Sequence, residues 1–123
     1  MSDAAKHHRV TYIEFATADI QRSRRFYSTV FGWRFQDWGP DYISMEGAGI
    51  DGGFRKIEAG EKSSESAPLS APLVVLYSAD LKATEAAIIA AGGAITVPTF
   101  EFPGGRRFHF SDGAGNVLAV WSE

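Results

Sequence analysis

The chain has no cysteine, which excludes disulfides, zinc ribbons, thiolate catalysis and iron–sulfur clusters together. Histidine is scarce: there are 3, and two of them, His7 and His8, are adjacent in a polar N-terminal stretch. No basic excess exists. The 12 Lys+Arg stand against 15 Asp+Glu, a net charge of −3. A protein that relied on phosphate contacts would show the opposite balance, so nucleic-acid binding is disfavoured. Long apolar runs are missing as well. The stretch around Ala83 to Gly93 is interrupted by Glu85 and falls far short of the ~20 apolar residues of a membrane span. No apolar segment of a signal peptide follows Met1 to Arg9. The expectation is a soluble, cytoplasmic protein that does not engage membranes.

What is present is apolar and aromatic. Of 123 residues, 45% are hydrophobic and 13% aromatic, enough for one core and too much for a disordered chain. Val10 to Thr17 (VTYIEFAT) is rich in β-branched and aromatic residues and reads as a strand. Asp19 stands at a helix N-cap position. Ile20, Phe26, Tyr27, Val30 and Phe31 follow at spacings that suit one helical face, and Gly32 is placed to end the helix. Trp33–Trp38 and Asp41–Glu46 read as short strands joined by Gly39-Pro40. Gly49–Ile57 reads as a third, in which Gly52-Gly53 mark a bulge or a close backbone approach. Residues 58–72 (EAGEKSSESAPLSAP) have the composition of a linker or mobile loop. The pattern then restarts. Leu73–Ser78 is a strand, Asp80 a cap and Leu81–Ala91 a helix closed by Gly92-Gly93. Ala94–Phe102, Arg106–Ser111 and Asn116–Trp121 are strands.

Each half is thus strand–helix–strand–strand–strand. Asp80 follows Asp19 by 61 residues, and Gly93 follows Gly32 by the same interval. Matching element order and offset point to a duplicated module. The expected organisation is a polar arm over 1–9, a first βαβββ module over 10–57, a linker over 58–72 and a second βαβββ module over 73–123.

On these residues the chain resembles the vicinal oxygen chelate superfamily, which includes glyoxalase I, bleomycin-resistance proteins, fosfomycin-modifying enzymes and extradiol dioxygenases. The resemblance is carried by Asp19-Ile20-x-x-Ser23-x-x-Phe26-Tyr27-x-x-Val30-Phe31-Gly32-Trp33. In the second half it is carried by Gly92-Gly93 and Asp112-x-x-Gly115-Asn116, where Gly113-Ala114 replaces the usual Pro-x. It implies an α+β fold of two βαβββ modules whose eight strands form a cupped mixed sheet around a cavity, often completed by dimerisation. It also implies a divalent metal held by His and Glu. Two of those ligands lie on the first strand of each module, six or seven residues before the cap Asp. These positions hold Ile13 and Tyr12 in the first half and Val74 and Leu73 in the second. A third, four residues past Gly115, is Ala119. The fourth falls near Gly52-Gly53. None of these side chains is a useful ligand for a hard or borderline cation. The expectation is therefore a glyoxalase-like, metal-independent member with no metal and no cofactor.

Strand alternation places Tyr12, Glu14 and Ala16 on the cavity side of the first strand. Val74, Leu76 and Ser78 take that side of the fifth strand, and Val117, Ala119 and Trp121 that of the last. Ile13, Phe15, Val75 and Leu118 are expected beneath the helices. Glu14 inside an apolar strand costs several kcal/mol if charged and unpaired. It is either a general base or ligand anchor, or the structural partner of an Arg such as Arg107. Arg107 and His109 face the cavity if Phe108 and Phe110 pack under the helices, and solvent otherwise. In the first case they join Glu14 in a cluster that binds a carboxylate or moves a proton. His7 and His8 read as solvated residues of the arm.

Three functions follow. The first is binding of a small organic molecule in an apolar-aromatic cavity lined by Tyr12, Glu14, Val74, Leu76, Arg107, His109, Ala119 and Trp121. The second is metal-independent catalysis with Glu14, and His109, in proton transfer. The third is a metal-dependent lyase or dioxygenase with displaced ligands. The aromatics Trp33, Phe35 and Trp38 crowd one short strand, and open sheet edges invite pairing, so a symmetric homodimer is expected. Light scattering at micromolar concentration tests this. A mass twice 13.4 kDa supports the dimer, and a mass near 13.4 kDa rejects it.

Overall fold

A computed structural model describes residues 6–58, 72–114 and 116–123. The linker expected over 58–72 lies outside the described residues except for its end residues. The described residues hold eight strands and two helices of the expected type and order. The chain forms two compact units, residues 12–72 and residues 1–11 with 73–123. We call these the first and second modules. No helix among the described residues is long and apolar enough to cross a membrane.

In the first module β1 (Val10–Thr17) leads into α1 (Ile20–Phe31), then β2 (Arg34–Asp37), β3 (Tyr42–Glu46) and β4 (Asp51–Lys56). The strand order is β2-β3-β4-β1, with β1 parallel to β4 and the other pairs antiparallel. Helix α1 starts where Asp19, in extended conformation, accepts the Arg22 N–H at 3.1 Å. It ends at Gly32 with φ 73°, a left-handed value that glycine adopts without steric cost. The core beneath it is Ile20, Ile43, Met45 and Phe54, packed by Phe15, Tyr27, Trp33, Phe35, Ala48 and Ile50. Tyr27 stacks on Trp33 at 4.9 Å and Phe15 on Phe54 at 5.0 Å. Such pairs contribute about 0.5–1.5 kcal/mol each beyond their buried area.

Two sequence expectations are corrected here, and one left open is decided. Phe26, Val30 and Phe31 do not form the buried face of α1. They are 52, 55 and 58% exposed, because the inward row is Ile20, Ser23, Arg24 and Tyr27. Trp33 and Phe35 are not spare surface, since both pack in the core, and Trp38 alone of the three is 58% exposed. Gly52 marks a close approach rather than a bulge. A Cβ on Gly52 would lie 2.3 Å from the Ile13 carbonyl oxygen across the β1–β4 pair.

The second module repeats the plan: β5 (Leu73–Tyr77), α2 (Leu81–Ala90), β6 (Ala94–Phe102), β7 (Gly105–Ser111) and β8 (Val117–Ser122). The strand order is β5-β8-β7-β6, with β5 parallel to β8. Its core joins Leu81, Phe108 and Val120, with Ile88, Ile95 and Phe110 against them. The Asp112 carboxylate closes the β7–β8 turn by accepting from the Asn116 amide at 2.8 Å and from the backbone N–H of Ala114 and Asn116. These bonds, the Asn116 side chain first, lower its pKa below the ordinary 3.8.

Residues 6–9 are docked on this module rather than loose. The His8 N–H donates to the Tyr77 carbonyl at 2.6 Å, and the Arg9 carbonyl accepts from Tyr77 N–H at 3.0 Å. His7 Nδ1 accepts from Ala79 N–H at 2.9 Å, and His8 Nε2 lies 3.0 Å from the Thr84 hydroxyl.

The two modules repeat individual hydrogen bonds. In the first module the Thr17 hydroxyl meets the Ser23 hydroxyl at 2.7 Å and accepts Asp19 N–H at 3.1 Å. In the second, the Ser78 hydroxyl meets the Thr84 hydroxyl at 2.7 Å and accepts Asp80 N–H at 3.0 Å. Asp80 accepts Ala83 N–H at 3.1 Å, as Asp19 accepts that of Arg22. Asp19→Ala and Asp80→Ala should therefore each cost about 1 kcal/mol, the usual worth of an N-cap. Urea unfolding checks this, and a loss at one cap with none at the other would contradict the equivalence.

Candidate functional site

Each module has one sheet face under its helix and one free of it. In the first, Ile13 and Phe15 are registered with Gly52 and Phe54 on the helix side. The helix-free face carries Tyr12, Glu14 and Ala16 of β1, Gly53 and Arg55 of β4, and Tyr42 and Ser44 of β3. Glu14 is 7% exposed. Its Oε1 accepts the Tyr42 hydroxyl at 3.1 Å, and the Tyr42 and Tyr12 hydroxyls are 2.6 Å apart. Tyr42 reaches Glu14 because residue 53 has no side chain. A Cβ there would stand 2.5 Å from the Tyr42 ring and hydroxyl. Burial, then the Glu14 charge, then the bond to Tyr12 push the Tyr42 pKa well above the ordinary 10.0. Tyr42 therefore stays protonated and acts as a donor toward Glu14. Sequence reasoning singled out Glu14 and Tyr12 but missed this role of Tyr42. The glycine opposite Glu14 was the available signal.

In the second module Phe108 and Phe110 pack on the α2 side, so Arg107 and His109 take the helix-free face. Arg107 is registered with Trp121 and His109 with Ala119. Val75 and Tyr77 are registered with Ala119 and Trp121, and Leu76 with Val120. Val74 and Leu76 therefore lie on the helix side. This corrects the expectation that they face the cavity, and Leu73, Val75 and Tyr77 take those places. The free face is aromatic and cationic. The Arg107 guanidinium sits 5.3 and 5.7 Å from the Phe100 and Phe102 ring centres, and His109 packs 5.9 Å from Phe100. Trp121 meets Tyr77 edge-on at 5.0 Å, with Phe102 at 6.4 Å. The Trp121 indole N–H donates to the Thr11 hydroxyl at 3.1 Å. The Lys6 ammonium lies 4.4 Å from the Tyr77 ring and 5.4 Å from that of Trp121. The Tyr77 hydroxyl donates to the Glu123 carboxylate.

A separate depression of about 280 Å³ lies on the outward side of α1, lined by Arg22, Arg25, Phe26, Thr29 and Val30. It contains no acid, base pair or ligand set, and these side chains come from a single helix.

The superfamily's usual divalent metal does not fit the side chains at its positions. Tyr12 is engaged with Tyr42. Its counterpart 61 residues on is Leu73. Ala119 is fully buried, and the two glycines of β4 are closed over by Ile13, Met45 and Tyr42. Among the described residues no three His, Asp or Glu gather as a ligand set.

The fold is that of the vicinal oxygen chelate proteins, and comparison with known proteins agrees. Residues 9–48 match a family model described as bleomycin resistance protein-like N-terminal. A glyoxylase-like domain-containing protein of Didymella fabae is 29% identical over 126 residues, covering 93% of each chain. A solved methylmalonyl-CoA epimerase superposes with TM-score 0.69 at 14% identity, covering 92% of this chain and 93% of that one. A glyoxalase/bleomycin resistance protein/dioxygenase superfamily member from Vibrio splendidus 12B01 gives 0.63 at 14%, covering 94 and 99%. The family-model match over residues 9–48, the glyoxylase-like relative and the solved structures together support a place in the vicinal oxygen chelate superfamily, on its glyoxalase-like and bleomycin-resistance-like side.

Tyr42→Phe removes the donor to a buried carboxylate while leaving the ring in place. It should cost about 1–3 kcal/mol, the usual effect of stripping a partner from a buried charged acceptor. Chemical unfolding at pH 7 measures this, and a neutral result would mean that Tyr42 contributes nothing to holding Glu14. Because the Tyr42 pKa is raised on folding, the unfolded chain loses that proton first above about pH 10, and stability falls as pH rises from there.

Proposed function

We propose that the protein is a metal-independent member of its superfamily that binds a small organic molecule on the helix-free faces of its modules. The observation that carries this reading is the replacement of the family's ligands by Tyr12, Leu73, Ala119 and the glycines of β4. No two of these supply the imidazole or carboxylate a divalent cation requires. Aromatic walls with a few oriented polar groups are the composition of a small-molecule site. Tyr12 and Glu14 are the proposed contacts on the first module, and Arg107, His109, Ala119 and Trp121 those on the second, while Val74 and Leu76 drop out. The epimerase and glyoxalase-type activities named for its structural neighbours are not carried over, since fold does not fix function. A homodimer in the cytoplasm, with no nucleic-acid or membrane partner, completes the proposal.

A second reading has one observation in its favour. Glu14 is a buried carboxylate beside a phenol that remains protonated, an arrangement suited to proton transfer. Glu14→Gln keeps the shape and removes the base. If a turnover is found, its loss in this variant supports the reading, and its survival rejects it.

The test of the principal reading is direct. The purified protein should hold far less than one Zn, Ni, Mn or Fe per chain by elemental analysis. Chelator should leave its melting temperature unchanged. One metal per chain retained through dialysis would overturn the reading.

A further inference from the structure

We infer that the homodimer forms through the outward face of α1, with a second copy of this chain laid antiparallel across it and Phe26 on the two-fold axis. This rests on the homodimer reading above and names its interface.

Two of the aromatic residues that suggest pairing, Trp33 and Phe35, are spent in the core. On α1, by contrast, Phe26 and Val30 are 52 and 55% exposed. Together with Arg22, Arg25 and Thr29 they line the depression of about 280 Å³ on the outward side of the helix. Their spacing, i, i+3, i+4, i+7 and i+8, makes one stripe of a helix surface, the geometry by which helices pack on one another.

Charge selects the occupant and its direction. Residues 20–31 include three arginines and no acid. Arg24 is paired with Asp37, whereas Arg22 and Arg25 have no ion pair among the described residues. Both lie in the first half of the helix, where its macrodipole is positive, and the last turn has no basic residue to meet the negative end. The helix is thus mismatched with its own dipole at both ends. A second copy running antiparallel corrects both mismatches. Centred on Phe26, the pairing sets Arg22 of one copy over Val30 of the other, at the carbonyl end of that helix. A parallel copy would set arginine against arginine. An acidic peptide would meet the arginines but leave the last turn without a cation. A helix of 12 residues is about 18 Å long, and a stripe of that length alone buries less than the ~1,200 Å² of a stable interface. The pair is therefore reversible, and its mass depends on concentration.

The test is disulfide trapping. The chain has no cysteine, so an introduced thiol is the only one present. With helix axes about 10 Å apart and a Cα radius of about 2.3 Å, Cα atoms facing each other on the two-fold axis stand about 5 Å apart, within the span of a disulfide. Oxidation of Phe26→Cys should therefore link two chains, and so should oxidation of a mixture of Arg22→Cys and Val30→Cys chains. Neither of the latter should link alone. Ala87→Cys, exposed on α2, should link at least about tenfold more slowly than F26C, because no docked geometry raises its effective concentration. Sedimentation of the unaltered protein should show its mass rising toward two chains across the micromolar range. Phe26→Asp should weaken that association at least about tenfold, the effect of losing a central anchor. Linking of R22C chains to one another, or F26C linking no faster than A87C, overturns the inference. A two-chain mass in the unaltered protein then leaves the homodimer reading standing with another interface, and a one-chain mass at every concentration removes both. Binding of a hexaglutamate peptide or of phosphatidylserine vesicles by a one-chain protein, lost in R22Q, assigns the face to an anionic partner and overturns the inference as well. If F26C does not fold, the mixture of R22C and V30C chains still decides.

Discussion

A hydrogen bond between two hydroxyls, one at the end of a strand and one in the first turn of the following helix, ties strand to helix at the same point in each module. Thr17 bonds to Ser23, and Ser78 to Thr84. Thr17 is 7% exposed and Ser78 fully buried, so a hydroxyl left unpaired at either position would be costly. The bond holds that strand residue on the helix side. Every second residue back along the strand follows it, which puts Ile13 and Phe15 in one module and Val74 and Leu76 in the other beneath the helix. Tyr12, Glu14, Leu73 and Val75 are thereby sent to the opposite face.

The two helix-free faces have diverged in chemistry within this shared frame. The first is organised around a buried carboxylate bonded by a phenol, made possible by a glycine that lets an aromatic ring lie over β4. The second is organised around cations held against aromatic rings. Equivalent positions, 61 residues apart, thus carry Glu14 in one module and Val75 in the other. A duplicated fold tolerates this because the repeated hydroxyl bonds and caps sit at the strand–helix junction, away from the residues that define each face.

The polar groups on the helix-free face of the first module satisfy one another. Glu14 accepts from Tyr42, and the pair is locked further by Tyr12. Such a network is stable only while its members are satisfied, which is why Tyr42 is as much a part of the site as the acid it serves.

The elements and their order were legible in the sequence because caps, helix-ending glycines and β-branched runs act locally. Asp19, Gly32 and Asp80 perform the roles their neighbours demand. Glu14 was legible as an anomaly, since an acid in an apolar strand requires a partner. The partner itself was not, because Tyr42 lies 28 residues away and its approach depends on the missing side chain at Gly53. Facing was only half legible. Alternation says which residues share a face, but not which face lies under the helix. The interval back from Asp80 fits Leu73 and Val74 equally, and the bond of Ser78 to Thr84 fixes the parity that places Val74 and Leu76 on the helix side. The outward position of Phe26, Val30 and Phe31 was hidden for a related reason: helical spacing defines a stripe, but the neighbouring sheet selects which stripe is covered. Local chemistry alone determined the elements, and contacts between residues distant in the chain decided which side of each one lies under a helix and which stays free of it.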